Sequence, residues 1–251
     1  MHILSGNSGS QLSYISTAHG PAIAKTGRKL HLDYQVLNEL RSNGFSIPAY
    51  YSVADSYVTM QFIPGLTICQ FLESRNDVEL LVNFFSQFVT VAESNSQQRN
   101  VAADVAKKCS ELSCMPRSIL NRLPFTFEEI SSNIPDELPC GLYHGDFSLE
   151  NIIFSDGRFY LIDANYNALN SYAFDVAKLM QDTASQWFSR HCTLSALAQE
   201  KLQYLSKKVA SMSVYSENKY LRAFMFSRIL PYCTNTQDTD LVVESLKDLW
   251  T

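Results

Sequence analysis

The first 65 residues alternate short apolar segments with turn-forming residues. HILS, QLSYIST and AIAK are rich in β-formers, and the intervening AHGP predicts a hairpin between the last two. The segment LHLDYQVLNELRSNG instead predicts a helix that ends near Gly44. Its apolar residues recur at helical spacing: Leu32, Val36, Leu37 and Leu40. AYYSVADSYVTMQFI then predicts two strands around a turn near Asp55.

The rest of the chain is dominated by helical patterns. Periodic Leu, Val and Phe residues predict helices from residue 67 to about residue 133, and the pattern past residue 174 is again helical. Strand signals return between residues 143 and 163. We therefore predict an α+β fold with a small β-rich lobe, residues 1–65, and a larger helical lobe, residues 66–251, which holds an embedded hairpin. Pro64-Gly65 marks the predicted boundary.

Composition narrows the classes of function. The 251 residues are 46% apolar and include 15 Phe and 13 Tyr, enough for a sizeable core. The net charge is −5 and the chain has no run of Lys or Arg, which argues against a nucleic-acid partner. No apolar run approaches the ~20 residues that span a membrane. Six cysteines without a CxxC pair and a polar N-terminal segment predict a cytoplasmic protein with reduced thiols.

Candidate chemistry concentrates in YHGDFSLENIIFSDGRFYLIDAN, residues 143–165. Asp156-Gly157 predicts a hairpin turn, which would bring Asn151 and Asp163 to the same end of the hairpin. Asp146 precedes the first strand by a short loop. An amide and a carboxylate suit a Mg²⁺ site, and the second carboxylate suits a catalytic base beside it. The alternative is that these residues only cap turns.

These motifs resemble the catalytic core of the aminoglycoside phosphotransferase and choline kinase-like family of small-molecule kinases. The resemblance implies a protein-kinase-like fold with two lobes. The small antiparallel β lobe, residues 1–65, would bind the nucleotide, and the larger helical lobe, residues 66–251, would hold the catalytic loop and the acceptor site. It also implies that Asp146 is the catalytic base, that Asn151 binds magnesium, and that Asp163 is the metal-binding counterpart of the Asp in the protein-kinase DFG motif. Ala164-Asn165 and His144-Gly145 depart from the protein-kinase motifs and favour the small-molecule branch.

Four residues near this core have two interpretations each. His144 either holds the loop through backbone hydrogen bonds or touches phosphate, and Glu150 faces either the acceptor or solvent. By resemblance Asp175 braces the catalytic loop. In the alternative interpretation, Asp175 only places a negative charge near the start of a helix, where the helix dipole favours it. Arg228 either forms a surface ion pair or reaches an anionic acceptor.

The N-terminal segment offers a phosphate site. In SGNSGS, the backbone near Gly6, Ser8, Gly9 and Ser10 could approach phosphate oxygens closely, although such residues also form ordinary turns. By resemblance Lys25, at the end of AIAK, corresponds to the kinase lysine that contacts the α- and β-phosphates. Its alternative is a lysine at the end of a surface strand.

Two further nucleotide contacts follow from the resemblance. Asp33 is the preferred acid to pair with the phosphate-binding lysine, with Glu39 as the competitor. In TMQFIPG, which resembles the segment joining the two lobes, the main chain of Gln61, Phe62 and Ile63 would contact the adenine edge. The same residues could instead form a plain strand end.

The resemblance implies a phosphotransferase that uses ATP, with GTP as the alternative, and Mg²⁺. Its partner would be a small-molecule hydroxyl acceptor such as a sugar or amino alcohol. A nucleotide-binding pseudokinase that acts as a scaffold is the competing hypothesis, and a protein kinase is the third. The sequence favours neither a monomer nor an oligomer.

Overall fold

The computed structural model describes residues 3–5, 10–185, 187–190 and 193–251. Its N-terminal part is a five-stranded sheet in which all neighbouring strands are antiparallel, with the order β1-β2-β3-β5-β4. The strands are β1 Ile3–Ser5, β2 Gln11–Thr17, β3 Gly20–Thr26, β4 Tyr50–Val53 and β5 Tyr57–Gln61. Each corresponds to a segment that the sequence predicts as strand. The predicted hairpin between the second and third strands is therefore confirmed.

Helix α1, Leu30–Ser42, connects β3 to β4. Val36, Leu37 and Leu40 are buried, as their spacing predicts, whereas Glu39 is exposed. Burial of one stripe of an amphipathic helix against a sheet stabilises both elements. The helix contacts β4 and β5 of this sheet, and its buried stripe also joins the apolar core that includes Phe84 and Phe88.

The C-terminal part begins with β6, Leu66–Thr67, which pairs with β9, Ile152–Ser155, rather than with the first sheet. The predicted boundary at residue 65 falls between these two sheets, and the division into 1–65 and 66–251 stays a prediction. Nine helices of the described residues follow: α2 Ile68–Ser74, α3 Val78–Ser94, α4 Ala102–Leu112, α5 Arg117–Leu120, α6 Phe127–Asn133, α7 Tyr172–Ser185, α8 Ala196–Ala210, α9 Lys219–Ser227 and α10 Thr236–Asp248.

One strand pair was missed in the segment predicted as helical. β7, Ser96–Asn100, pairs antiparallel with β8, Glu137–Gly141. The sequence SQQRN of β7 has no apolar alternation and few β-formers, so its extended conformation depends on a partner about forty residues away. The prediction of uninterrupted helices over residues 67–133 was therefore wrong at this point.

The predicted hairpin is confirmed. β9 pairs antiparallel with β10, Arg158–Leu161, and Ile152 lies opposite Leu161. Asp156 and Gly157 have φ angles of 49° and 77°, the left-handed values that a tight two-residue hairpin turn requires. The residues that precede β9 and follow β10 therefore leave the hairpin at the same end.

Two apolar clusters form the core of the C-terminal part. The first includes Phe88 of α3 and Phe147 of the loop before β9, whose stacked rings have centroids 4.0 Å apart. The second joins α4, α6, α9 and α10. Phe147 is fully buried, so its side chain anchors that loop to α3. Across the described ranges, no helix is both long enough and apolar enough to cross a membrane.

Candidate active site

The loop over residues 143–151, hereafter the HGD loop, is held in an unusual conformation. Gly145 has a φ of 81°, and a Cβ atom there would lie 1.9 Å from the backbone oxygen of Asn165. Only glycine combines this backbone conformation with so close an approach. The backbone N–H of Asn165 also donates to the His144 carbonyl over 3.0 Å. The HGD loop therefore lies in direct backbone contact with the segment that follows β10.

His144 holds this loop from inside. The side chain is completely buried, and its Nε2 lies 3.1 Å from the Ile162 carbonyl oxygen. The Nδ1 atom accepts the backbone N–H of Asp146 over 3.4 Å, so Nε2 carries the proton that is donated to Ile162. Burial lowers the pKa of His144 to about 4. The neutral imidazole is thus a structural link, which favours the first of its two interpretations.

Asp175 of α7 braces the same loop, as the resemblance implies. Its two carboxylate oxygens accept the backbone N–H groups of His144 and Gly145, over 2.6 and 2.8 Å. Burial raises the pKa of Asp175 to about 7, although these N–H bonds act in the opposite direction. Both oxygens are engaged by backbone, so the carboxylate fixes the position of the loop relative to α7.

Two residues of α7 with similar contacts were missed from the sequence. The buried Asp182 accepts the backbone N–H of Leu149 over 2.7 Å, and Lys178 forms an ion pair with Asp146, with Nζ 3.0 Å from Oδ1. Asp175, Lys178 and Asp182 follow one another at intervals of three and four residues, which places them on one face of the helix. That spacing in an otherwise apolar helix was the signal that could have revealed them.

Asp146, the predicted base, is held on both sides. The Asn151 amide donates to its backbone oxygen and to its Oδ2, over 2.9 Å each, and Lys178 contacts Oδ1. Burial alone would raise the pKa of Asp146, but the positive charge of Lys178 and these hydrogen bonds lower it below its ordinary value. Asp146 is therefore ionised at neutral pH, the state that a proton acceptor requires.

Asp163 follows β10 with a φ of 56°, and its side chain is 47% exposed. Its Oδ1 forms an ion pair with Lys25, whose side chain is only 10% exposed. Lys25 lies in β3, the central strand of the first sheet, opposite Leu12 of β2 and Val58 of β5. The contact therefore connects the N-terminal sheet to the end of the hairpin across 138 residues of sequence.

The preferred acid partner of Lys25 has another contact in this structure. Asp33 accepts the backbone N–H of Tyr166 over 2.9 Å. Burial raises the pKa of Asp33, whereas this hydrogen bond and the nearby charge of Lys25 lower it. Lys25 itself pairs with Asp163, and Glu39 is exposed. The choice between Asp33 and Glu39 stays a prediction.

The other predicted nucleotide contacts are placed in part. Gly6, Ser8 and Gly9 lie outside the described residues, and Ser10 lines the same cavity as Lys25. The Gln61 backbone N–H donates to the Ala49 carbonyl over 2.7 Å, and Phe62 donates to Pro21 over 3.2 Å.

Ile63 is buried and lies two residues past the end of β5. Adenine contacts through the main chain of Gln61 and Ile63 stay predictions.

One cavity of about 640 Å³ brings the predicted catalytic and metal-binding residues together. Lys25, Asp146, Asn151 and Asp163 all line it. A second set of lining residues, hereafter the cavity wall, comes from α4, the segment around residues 187–190, the end of α9 and the start of α10. Its polar and aromatic residues are Lys108, Glu111, Trp187, Arg190, Arg228, Tyr232, Thr234, Asn235 and Asp238.

Glu150 also lines this cavity and accepts a hydrogen bond from Arg190 over 2.9 Å. The Arg190 guanidinium in turn lies 3.9 Å from the centroid of the Trp187 ring. Glu150 therefore lines the cavity with a side chain that is still 44% exposed, and the choice between the acceptor and solvent stays open. These residues offer hydrogen-bonding groups to a small molecule, whereas the face of the Trp187 ring is covered by Arg190.

Comparison with known proteins gives one family and one fold. The profile of the phosphotransferase enzyme family matches residues 4–206. No curated protein sequence matches the chain significantly. Among solved structures, a thermostable mutant of aminoglycoside phosphotransferase APH(4)-Ia in its apo form has a TM-score of 0.67 at 11% identity and covers 99% of this chain and 92% of that chain.

Two other solved structures share the architecture. The streptomycin-ATP-APH(2")-IIa ternary complex has a TM-score of 0.56 at 16% identity over 94% of this chain and 90% of that chain. A glucosamine kinase has a TM-score of 0.55 at 13% identity over 92% of this chain and 74% of that chain. At these identities the likeness shows the two-lobed kinase-like fold predicted from the sequence.

Proposed function

The chain belongs to the phosphotransferase enzyme family, and we propose that it transfers the γ-phosphate of ATP, with Mg²⁺, to a hydroxyl group of a small metabolite. The observation that carries this proposal is the convergence of Lys25, Asp146, Asn151 and Asp163 on one cavity. They supply a cation for phosphate, a proton acceptor and oxygen ligands for a metal. A sugar, an amino alcohol or a similar compound would bind against the part of the cavity wall that contains Arg190 and Trp187.

Lys25 would hold the phosphates of the nucleotide together with the backbone of the SGNSGS segment. Its ammonium group lies at the cavity surface, although 90% of the side chain is shielded from solvent. A shielded cation attracts phosphate more strongly than one that is fully solvated. The APH(2")-IIa ternary complex, a structural neighbour, contains ATP, and this supports ATP as the phosphate donor here.

The residues present fit a magnesium ion. Mg²⁺ is held in proteins by one or two carboxylates, with water and phosphate oxygens as its other ligands. The Asn151 amide nitrogen donates to Asp146, which directs the amide oxygen away from that carboxylate, and half-exposed Asp163 lines the same cavity. The amide oxygen of Asn151 and the carboxylate of Asp163 would therefore hold the ion. When bound, Mg²⁺ neutralises charge on the phosphates.

Asp146 would act on the acceptor. Each of its carboxylate oxygens keeps a free lone pair beside the contact with Lys178 or Asn151, because a carboxylate offers about four acceptor positions. A substrate hydroxyl can therefore donate a hydrogen bond to Asp146 and be aimed at the γ-phosphorus. As the hydroxyl oxygen forms its bond to phosphorus, the bond from phosphorus to the ADP oxygen breaks and the hydroxyl proton passes to Asp146.

The protein would promote phosphoryl transfer chiefly by holding the Asp146 side chain in one orientation. Phosphoryl transfer depends on positioning and on electrostatic stabilisation more than on covalent chemistry by the protein. Asp175 and Asp182 fix the loop backbone, and Lys178 fixes the Asp146 side chain. The side chain therefore has its reactive orientation before the substrate binds, which lowers the entropy cost of transfer.

The experiment that tests this function measures ADP release with Mg-ATP and a panel of sugars and amino alcohols. We expect release that requires both Mg²⁺ and one class of hydroxyl compound. A pseudokinase scaffold would bind nucleotide without turnover, and a protein kinase would label a protein or peptide instead. Either of those outcomes would contradict the proposal.

A further inference from the structure

One positive charge on the cavity wall has no carboxylate partner in the part of the chain that the structure describes. Five cationic side chains line the cavity, and four are in ion pairs: Lys25 with Asp163, Lys108 with Glu111, Lys178 with Asp146, and Arg190 with Glu150. The fifth is Arg228. Its Nη1 atom instead contacts the Met225 sulfur over 3.3 Å, and a thioether is a weak acceptor.

An unpaired guanidinium in this position is costly. Arg228 is partly buried, and burial lowers the pKa of its guanidinium, which shows that water only partly compensates its charge. Charged groups removed from water are normally paired. Arg228 follows the last residue of α9, where the helix dipole favours a cation, but that effect does not require a side chain that faces the cavity. Arg222 on the same helix does not line it.

Each carboxylate of this wall already has a side-chain donor as its partner. Glu111 and Glu150 are in ion pairs, and Asp238 accepts a hydrogen bond from Asn235 in the first turn of α10, where a helix stabilises negative charge. A cationic ligand would share these carboxylates with the donors that they already contact. An anionic ligand would meet one guanidinium that has no carboxylate partner.

We propose that the phosphate acceptor of this enzyme is an anionic hydroxyl compound, such as a sugar acid, a hydroxy acid or a phosphorylated polyol, and that Arg228 binds its carboxylate or phosphate group. This inference rests on the proposed phosphotransferase function. Arg228 lines the same cavity as Asp146 and directly follows α9 of the C-terminal part, the part that by resemblance holds the acceptor site. The charge of Asp146 still reaches Arg228, which opposes the lowering of its pKa by burial.

Because Arg228 and Asp146 line the same cavity, together they would orient the acceptor. A molecule with its anionic group at Arg228 would extend its hydroxyl groups toward Asp146 in the same cavity. The guanidinium offers two parallel N–H donors to a carboxylate or phosphate, a geometry that a lysine does not reproduce. Arg228 would therefore select both the class of acceptor and the hydroxyl that reacts.

The test uses matched sets of hydroxyl compounds in which only the charge differs. One set is glucose, glucuronate and glucosamine, and another is glycerol, glycerate, glycerol 3-phosphate and 3-aminopropane-1,2-diol. Calorimetry in the presence of Mg-ADP measures binding, and ADP release from Mg-ATP measures transfer. Arg228→Gln removes the charge, Arg228→Lys keeps it without the paired donors, and Arg222→Gln is the control on the same helix.

We expect anionic members to bind and react in preference to their neutral and cationic counterparts. Arg228→Gln should weaken acceptor binding about 10- to 100-fold, the loss of a charged hydrogen bond, with unchanged affinity for Mg-ATP. The acceptor affinity of Arg228→Lys should lie between those of Arg228→Gln and the parent, and the acceptor affinity of Arg222→Gln should equal that of the parent. Thermal melts of each variant show whether it is folded, and the Lys variant reports on the site if the Gln variant is not.

Three results would overturn the inference: preference for neutral or cationic members, absence of Arg228-dependent binding by every anionic member, or loss of Mg-ATP affinity in place of acceptor affinity. The last would assign Arg228 to the nucleotide. Arg228-dependent binding of an anionic member without ADP release would support the anion site and contradict the proposed transfer. Failure of one proposal is thereby distinguished from failure of the other.

Discussion

Asp146→Asn is the change that separates catalysis from nucleotide binding most sharply. The substitution keeps the shape of the side chain, removes the proton acceptor, and leaves Lys25, Asn151 and Asp163 in place. Loss of a general base typically lowers a rate by ~10²–10⁴. We therefore expect transfer to fall by about that factor. Affinity for Mg-ATP should change little, because Lys25 and Asp163 are untouched and Asn151 keeps its hydrogen bond to the backbone oxygen of residue 146.

The structure also predicts a cost to stability. Oδ1 of Asp146 contacts Lys178 and Oδ2 accepts from the Asn151 amide, so both neighbours are donors. An asparagine has one oxygen, so its NH₂ group must face one of them. A donor left without an acceptor costs about 1–3 kcal/mol, and the lower end applies here because Asp146 is 37% exposed. We expect the melting temperature to fall by about 2–4 °C for ~1 kcal/mol.

The assay compares the parent with the variants Asp146→Asn and Asp156→Asn. ADP release with Mg-ATP and acceptor gives kcat, calorimetry gives Mg-ATP affinity, and thermal melts give stability. Asp156→Asn is the matched control, since it makes the same chemical change in the hairpin turn, where a φ of 49° suits asparagine. ADP release from Asp146→Asn at the parent rate would refute the role of Asp146. A large loss of Mg-ATP affinity would refute the separation of acceptor and nucleotide contacts.

Three further predictions concern the metal, the phosphates and the brace. Asp163→Ala should abolish magnesium-dependent nucleotide binding in calorimetry, and unchanged affinity with and without Mg²⁺ would remove Asp163 from the metal site. Lys25→Ala should weaken nucleotide binding and slow transfer with little loss of melting temperature, because the partner Asp163 is half-exposed and becomes hydrated; a much less stable variant with full activity would make Lys25 structural. Asp175 has a pKa raised to about 7 in the fold against ~3.8–3.9 when unfolded, so its contribution to stability is complete below pH ~4 and is lost as the pH rises to about 7. Unfolding by urea at pH 5 and pH 7.5 should therefore show a steeper loss of stability in the parent than in Asp175→Asn, by at most ~1.4 kcal/mol per pH unit, and parallel losses would contradict this.

Local signals in the sequence determined much of the fold and the centre of the site. The turn at Asp156-Gly157 fixes its hairpin through two left-handed residues, and that hairpin places Asn151 and Asp163 at one end. Turn chemistry and strand or helix periodicity act over a few residues, so they can be recognised without a structure. The five strands of the first sheet and α1 were predictable for the same reason.

Contacts between distant segments were decided only by the tertiary structure. The ion pair between Lys25 and Asp163 joins residues that are 138 positions apart, and it forms because the first sheet lies against the end of the hairpin. The pairing of β7 with β8 depends likewise on a partner strand that its own residues do not specify. Such contacts depend on how whole elements pack, and spacing along the chain does not encode them.

The same reason applies to the charges around the cavity. In the sequence, Lys178 and Arg228 are two cations among twenty Lys and Arg residues. In the structure, Lys178 pairs with Asp146 and Arg228 faces the cavity without a carboxylate. Residue type and spacing determined which groups the chain has available for catalysis. Whether a charge is neutralised or left for a ligand was decided by burial and by the neighbours that folding brings to it.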